Sequence, residues 1–343
     1  MESPPLDLHY SFVIPVYNRP GELRELLGSM VRQDYGQPFE VLVVEDGSAR
    51  DSEAVIAEFA DRLMLRYFRK ANTGPGDSRN YGMQRAAGRY FLLTDSDCIL
   101  PENYLSAVDR ALKSGNPDCF GGPDAAHPDF DARQQAISFA MTSPLTTGGI
   151  RGSRSGSEKF QPRSFNMGIS REAFAASGGF GDLHPGEDPD LSLRLKALGF
   201  TLGYIPDAVV YHKRRIRFPA FLRQVYKFGL ARPILNRWHP GSARPVYWFP
   251  TLFLLGSLVS IFLALSVDHG IARVPAAGIL GYLTAVWLTA WKMTGSLKIA
   301  CLALWALLLQ FAGYGWGFLK STFLLTFSSR KPEALFPELF FNS

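Results

Sequence analysis

The sequence predicts an α/β fold, a doubly wound and mostly parallel sheet, followed by an all-α membrane region. Three observations carry this expectation. Short apolar runs alternate with segments of helical period through roughly the first 210 residues. Several of those runs stop abruptly in polar or acidic clusters. Beyond about residue 245, three long intervals, 247–267, 274–291 and 299–319, are almost free of charge.

In chain order, residues 12–14 before Pro15 read as a buried strand, and 21–31 take helical spacing through Leu23, Leu26, Leu27 and Met30. Residues 39–44 form a second strand, ended by Glu45, Asp46, Gly47 and Ser48. A helix over 52–63, a strand over 65–68 and a helix over 78–87 follow, leading into the strand 90–93. Residues 123–162 are rich in Gly, Ser, Thr and Pro without periodicity and predict loops. The segment 186–199 reads as a helix, with Asp188 as N-cap, Pro189 at the first helical position and Gly199 as the stop.

Each apolar interval approaches the ~20 residues that cross a hydrocarbon core. Trp248, Trp287, Trp291 and Trp316 stand near their ends, as interfacial anchors do. The first ten residues are polar and include Asp7, so no cleavable signal peptide is expected. Between His212 and Pro245 lie Lys213, Arg214, Arg215, Arg217, Arg223, Lys227, Arg232, Arg237 and Arg244, with no acid. Positive charge ahead of a first span marks the cytoplasmic side and attracts anionic headgroups. A nucleic-acid partner is not expected, because this run leads straight into an apolar span and the formal net charge is only +5. The short loops carry Asp268, Arg273, Lys292 and Lys298, and the tail carries Lys320, Arg330 and Lys331. Cys98, Cys119 and Cys301 have neither disulfide nor metal-ligand spacing. The expected organisation is an α/β domain over 1–211, a basic interfacial segment over 212–245, three membrane helices over 246–320 and a tail over 321–343.

The polar strand ends carry the chemistry. In parallel sheets of this kind ligands bind beyond the carboxyl ends of the strands, so Tyr17, Asn18 and Arg19, Glu45 and Asp46, and Asp95 and Asp97 should converge on one crevice. Asp95 and Asp97, one residue apart after an apolar strand, repel each other and resist desolvation unless a cation compensates them. A hard divalent cation, Mg²⁺ or Mn²⁺, takes such carboxylates and leaves other positions to phosphates and water. The glycine-rich loop 72–82 lets backbone approach a ligand, and Arg79 presents a forked donor to an anionic oxygen. A carboxylate at Asp188 suits either a helix cap or a general base.

Taken together these segments resemble the family 2 glycosyltransferases of the GT-A fold. Residues 12–18 are similar to the family's first strand, and 43–48 to its second. The stretch 72–82 follows Asn-x-Gly-x-x-x-Ala-Arg-Asn-x-Gly with Ser78 in place of Ala. Asp95-Ser96-Asp97 follows the metal-binding Asp-x-Asp, and Gly186-Glu187-Asp188 the acidic acceptor-site motif. The resemblance implies a nucleotide-sugar donor held by Pro15, Tyr17, Asp46, Arg79 and Asp95, with Asp46 at the nucleobase. It implies a divalent metal, Mn²⁺ or Mg²⁺, on Asp97 with Asp95 nearby. Asp188, or Glu187 in its place, would deprotonate the acceptor hydroxyl, and the anomeric carbon would invert. His212 reads as a surface histidine beside the basic run. Membrane polysaccharide synthases of the family carry Gln-x-x-Arg-Trp. Here Arg237-Trp238 remains but Ile234 and Leu235 precede Asn236, with no Gln. The expected function is therefore addition of one sugar, from a UDP-sugar as the resemblance implies, to a membrane-bound or lipid-linked glycan acceptor rather than processive synthesis. A non-catalytic binding module and a nucleotidyltransferase are the competing classes.

Overall fold

The computed structural model describes residues 9–115, 117–125, 127, 130–148, 160–213, 217–266 and 270–341. Among residues singled out above, Asp7, Arg214, Arg215, Val267 and Asp268 lie outside the described residues, as does part of the 123–162 segment. The chain divides into two compact units, residues up to 127 with 154–213, and residues 128–153 with those from 214 onward.

The first unit is built on β1 (Tyr10–Val16), α1 (Pro20–Val31), β2 (Glu40–Asp46), α2 (Glu53–Phe59), β3 (Met64–Lys70), α3 (Pro75–Met83), β4 (Tyr90–Leu93), β5 (Cys98–Ile99), α4 (Tyr104–Gly115), β6 (Cys119–Gly121) and β7 (Asp124–Ala125). A seven-stranded sheet runs β3-β2-β1-β4, then β8 (Met167–Ser170), β6 and β9 (Leu202–Tyr204). Strands β3, β2, β1 and β4 are mutually parallel, and β8 alone runs antiparallel to both its neighbours. Strand β10 (Val210–His212) lies between β5 and β7 in a small three-stranded sheet. The central strands are apolar on both faces because helices cover both. One layer of the core gathers Phe12, Ile14, Val41 and Val43 with Leu23 and Leu27 of α1, and the other gathers Val13, Leu42, Phe91 and Leu93 with Met83 of α3.

Strand β1 continues through Pro15, where the sequence predicted an end. Pro15 pairs with Val44 of β2, whereas the ladder to β4 ends at Val13 opposite Leu93, so the missing Pro N–H interrupts no bond on that side. Gly82 lets α3 lie directly on the sheet, since a Cβ there would come within 2.4 Å of Val13 Cγ1.

The second unit begins with α5 (Ala132–Thr142) and α6 (Pro144–Thr147), where loops were expected. Asp131 and Gln134 form a reciprocal capping box at the start of α5, and Ala136, Ile137 and Ala140 are fully buried. Burial around so much of this short helix removed the periodic pattern that would have marked it. In the main chain of helices, α9 (Phe218–Trp238) and α12 (Leu297–Phe327) approach almost backbone to backbone. A Cβ on Gly229 would sit 2.3 Å from the Tyr314 carbonyl oxygen, and one on Gly317 2.4 Å from that of Tyr226. Among the described residues, three helices are long and apolar enough to cross a membrane: Pro245–Ser266, Val274–Thr294 and Leu297–Phe327, with mean hydropathies of 2.0, 1.4 and 1.7. Their cores are α10 (Phe249–Ser266), α11 (Val274–Thr294) and α12. Leu258, Phe262 and Leu265 of α10 are exposed, as a lipid-facing surface requires. Helix α12 runs past the predicted end at 319, carrying Lys320 inside it with Nζ donating to Tyr226 Oη at 3.2 Å.

Candidate active site

The carboxyl ends of β1, β2 and β4 bring together the residues expected there. Tyr17 is 53% exposed just beyond β1. Asp46 closes β2 and is buried, with every oxygen in use. Lys70 Nζ donates to Oδ1 at 2.7 Å, the Thr73 N–H to Oδ1 at 3.0 Å and the Gly74 N–H to Oδ2 at 3.0 Å, while Asn72 Nδ2 donates to the main-chain oxygen at 2.9 Å. Gly47, at φ 70°, makes the turn that allows this, since a Cβ would meet Asn72 N at 2.6 Å. Asp46 therefore holds the 72–74 loop in shape. Glu45 beside it is similarly occupied, accepting from Ser48 Oγ, from the Ser52 N–H at 2.9 Å and from Tyr67 Oη at 3.1 Å.

The two acids after β4 are compensated separately. Arg79 Nη2 donates to Asp95 Oδ1 at 2.6 Å. Arg79 is 2% exposed, its Nη1 lies 3.6 Å from Glu187 Oε1 as an ion pair, and Nε and Nη1 make no hydrogen bond. Burial disfavours its charge, but Asp95, Glu187 and Asp188 outweigh that and raise its pKa above the ordinary guanidinium value. Asp97 accepts from Arg19 at Oδ2 and lies 3.1 Å from His212 Nε2 at Oδ1. Burial would raise its pKa, yet His212 and Arg19 hold it well below the usual carboxylate range. His212 is thus no surface residue. It ends β10, stacks on Phe165 with ring centroids 4.6 Å apart, and has a buried Nδ1 without a partner. Register explains the correction, because antiparallel pairing sets His212 opposite Cys98, next in sequence to Asp97.

Asp97, Cys98 and His212 form a group that could hold a metal ion, their ligand atoms within 4.8 Å of one another. The separation of Asp97 Oδ1 and His212 Nε2 matches that of adjacent ligands in an octahedral shell of about 2.1 Å radius, roughly 3 Å. Cys98 fits a hard cation poorly, as a buried thiol whose Sγ lies 3.8 Å from the Phe165 carbonyl oxygen. The donor set therefore suits a hard divalent cation held by Asp97 and His212, with Asp95 turned toward Arg79.

Across the same network, following α7 (Arg171–Ser177), stands α8 (Glu187–Ala197). Its N-cap is Gly186 at φ 133°, so Asp188, expected to cap, is instead the second helical residue, and Pro189 is the third. The first turn needs no N–H from Pro189, which is why it is tolerated there. Glu187 is anchored at both oxygens, by His184 Nδ1 at 2.9 Å and the Gly186 N–H at 2.9 Å. Burial raises its pKa, but His184 and Arg79 prevail and keep it well below the usual range. Asp188 behaves oppositely. Burial, and then the charge of Glu187, push it up to about 6, against the pull of Arg79, Arg163 and Ser164. Its Oδ1 is buried without a hydrogen-bond partner. His184 was not singled out from the sequence, two residues before a motif that was, and Arg19 was placed in the crevice without its pairing to Asp97.

The mostly parallel sheet, with acidic groups at its strand ends, was compared with known proteins. Residues 11–176 match the family model Glycosyl transferase family 2, and this segment is a domain of that family. The chain is 26% identical over 326 residues to the pre-mycofactocin glycosyltransferase of Mycobacterium tuberculosis, covering 88% of this chain and 63% of that protein. It is 33% identical over 114 residues to the poly(ribitol-phosphate) β-N-acetylglucosaminyltransferase TarS of Staphylococcus aureus, covering 32% and 20%. The chain spans one third or less of the length of the first curated relatives it matches. The mannosyltransferase PcManGT of Pyrobaculum calidifontis, solved with GDP-Man and Mn²⁺, shares the GT-A fold at TM-score 0.55 and 18% identity, over 93% of this chain and 90% of that one.

Proposed function

We propose that this protein is an inverting, metal-dependent glycosyltransferase that moves a sugar from a nucleotide-sugar donor to a hydroxyl of a membrane-bound or lipid-linked acceptor. The observation that carries the reading is Asp188, a half-buried acid whose Oδ1 is buried and unpartnered, pushed up to about 6 beside an anchored Glu187. An acid poised near neutral pH with a free oxygen suits proton abstraction. Glu187, with both oxygens taken and its pKa depressed, is less suited to the role, and this reading takes Asp188 as the base.

In this reading Asp188 takes the acceptor proton as the hydroxyl attacks the anomeric carbon from the face opposite the diphosphate. A divalent cation, Mn²⁺ or Mg²⁺, when held by Asp97 and His212, would neutralise charge on the departing diphosphate. Arg79 keeps the Asp95 turn and the start of α8 in register, so the donor and acceptor sides stay aligned. Pro15 and Tyr17 line the donor side, with the loop braced by Asp46. The unit of residues up to 127 with 154–213 would be the cytoplasmic catalytic domain, followed by the rest of the basic interfacial segment to 245 and three membrane helices. A hydroxyl-rich polymer acceptor is named for TarS, and a membrane acceptor here is favoured by the three apolar helices.

The test is a donor screen on detergent-purified protein. Nucleoside diphosphate release is followed with Mn²⁺, with Mg²⁺ and with chelator, wild type beside Asp97→Asn. Release from one sugar nucleotide that needs metal and Asp97 supports the proposal. Metal-independent turnover, or full turnover in Asp97→Asn, rejects the metal assignment, and pyrophosphate as product rejects glycosyl transfer.

A further inference from the structure

Arg19 joins the end of β1 to the acid best placed to hold a cation. Its backbone is fixed by Asn18, which sits in the left-handed region at φ 56°, donates its N–H to Ser48 Oγ at 2.7 Å and accepts the Arg50 N–H at 3.0 Å. Its side chain is less constrained. Lys70, Arg79 and Arg19 each form an ion pair with an acid at the ends of these strands, and their side-chain exposures differ. Lys70 on Asp46 is 12% exposed and Arg79 on Asp95 is 3% exposed, whereas Arg19 on Asp97 is 49% exposed. Moving a buried partner strands a charge out of water, but a half-exposed guanidinium can change partners at little cost.

Asp97 needs a positive neighbour in every state, being 12% exposed. With Arg19 on Oδ2 and His212 on Oδ1, both oxygens are already occupied by this chain. A divalent cation at Asp97 and His212 would place two positive groups against one carboxylate. A diphosphate arriving with that cation would offer Arg19 oxygens matched to its planar fork.

We propose that Arg19 is an exchangeable counter-ion, neutralising Asp97 in the donor-free protein and transferring to the donor diphosphate once a divalent cation is loaded at Asp97. The inference rests on the metal-dependent reading above and deepens it, since it makes cation and nucleotide bind cooperatively. Arg19 competes with a lone cation and assists a cation accompanied by nucleotide, which is a coupling between the two ligands.

The test measures binding rather than turnover. Mn²⁺ is titrated into the full-length protein and free Mn²⁺ is read by electron paramagnetic resonance, first alone and then with UDP or GDP. Relative to wild type, Arg19→Gln should bind Mn²⁺ alone roughly five- to tenfold tighter and the nucleotide with Mn²⁺ about tenfold weaker. Arg19→Lys, which keeps the charge, should bind Mn²⁺ alone within about twofold of wild type. Unchanged or weaker binding of Mn²⁺ alone in Arg19→Gln overturns the exchange, as does unchanged nucleotide affinity. Absence of Mn²⁺ binding in all three proteins, with and without nucleotide, removes the metal reading itself and the exchange with it.

Discussion

Asp46, buried, and Asp188, half-buried with one oxygen out of water, are acids in motifs of the same domain, yet they are built for opposite ends. Asp46 accepts four hydrogen bonds counting its main-chain oxygen, and its carboxylate pairs with a mostly buried lysine. Asp188 keeps one buried oxygen unpartnered next to another acid. A saturated carboxylate fixes geometry and has nothing left to offer a reacting proton. An unsaturated one costs stability and persists where chemistry uses it.

The sharpest way to break this contrast is Asp188→Asn. Loss of a general base should lower turnover by about 10³-fold, while the melting temperature stays close to wild type, because no hydrogen bond to Oδ1 is removed. Turnover within a few-fold of wild type would take the base role away from Asp188. Asp46→Ala should show the reverse balance. It strands Lys70 and the N–H groups of Thr73 and Gly74, so unfolding free energy should fall by about 2–4 kcal/mol in a denaturant titration. An unchanged midpoint would mean that Asp46 is not the brace.

The pH profile sharpens the comparison further. A base must be ionised to act, so kcat/KM should rise with pH through about 6 and be lost below it. Glu187 is among the causes that raise Asp188, so Glu187→Gln should move this acid limb to lower pH. A limb that stays in place, or moves up, would contradict the coupling. The smallest effect belongs to Tyr67→Phe, which removes one hydrogen bond to the architectural Glu45. It should cost about 1 kcal/mol of stability and leave the pH profile unaltered.

Much of the fold was legible because its signals are local. The run 90–93 is a strand at both ends as expected, and α11 begins at Val274 where the apolar interval did. Such elements follow from side-chain period and span length, which neighbouring residues set among themselves. The α5 helix was missed for the same reason turned round, since burial around most of it erased the period. The site was legible in its acids but not in their partners. Asp95 and Asp97 read as a pair awaiting one cation, whereas the fold assigns Arg79 to the first and Arg19 and His212 to the second.

The sequence by itself determined the α/β class, the apolar helices and the positions of the acidic motifs, all of which depend on residues close together in the chain. Tertiary structure decided which acids are saturated and which is left free. Arg19 and Asp97 lie 78 residues apart, and His212 reaches Asp97 only because β10 pairs with β5. The capping role expected of Asp188 passed to Gly186, since the position of a helix start depends on how the preceding chain enters it. A carboxylate's ionisation follows from its burial and from charges brought near by folding, and neither is written in the order of residues around it.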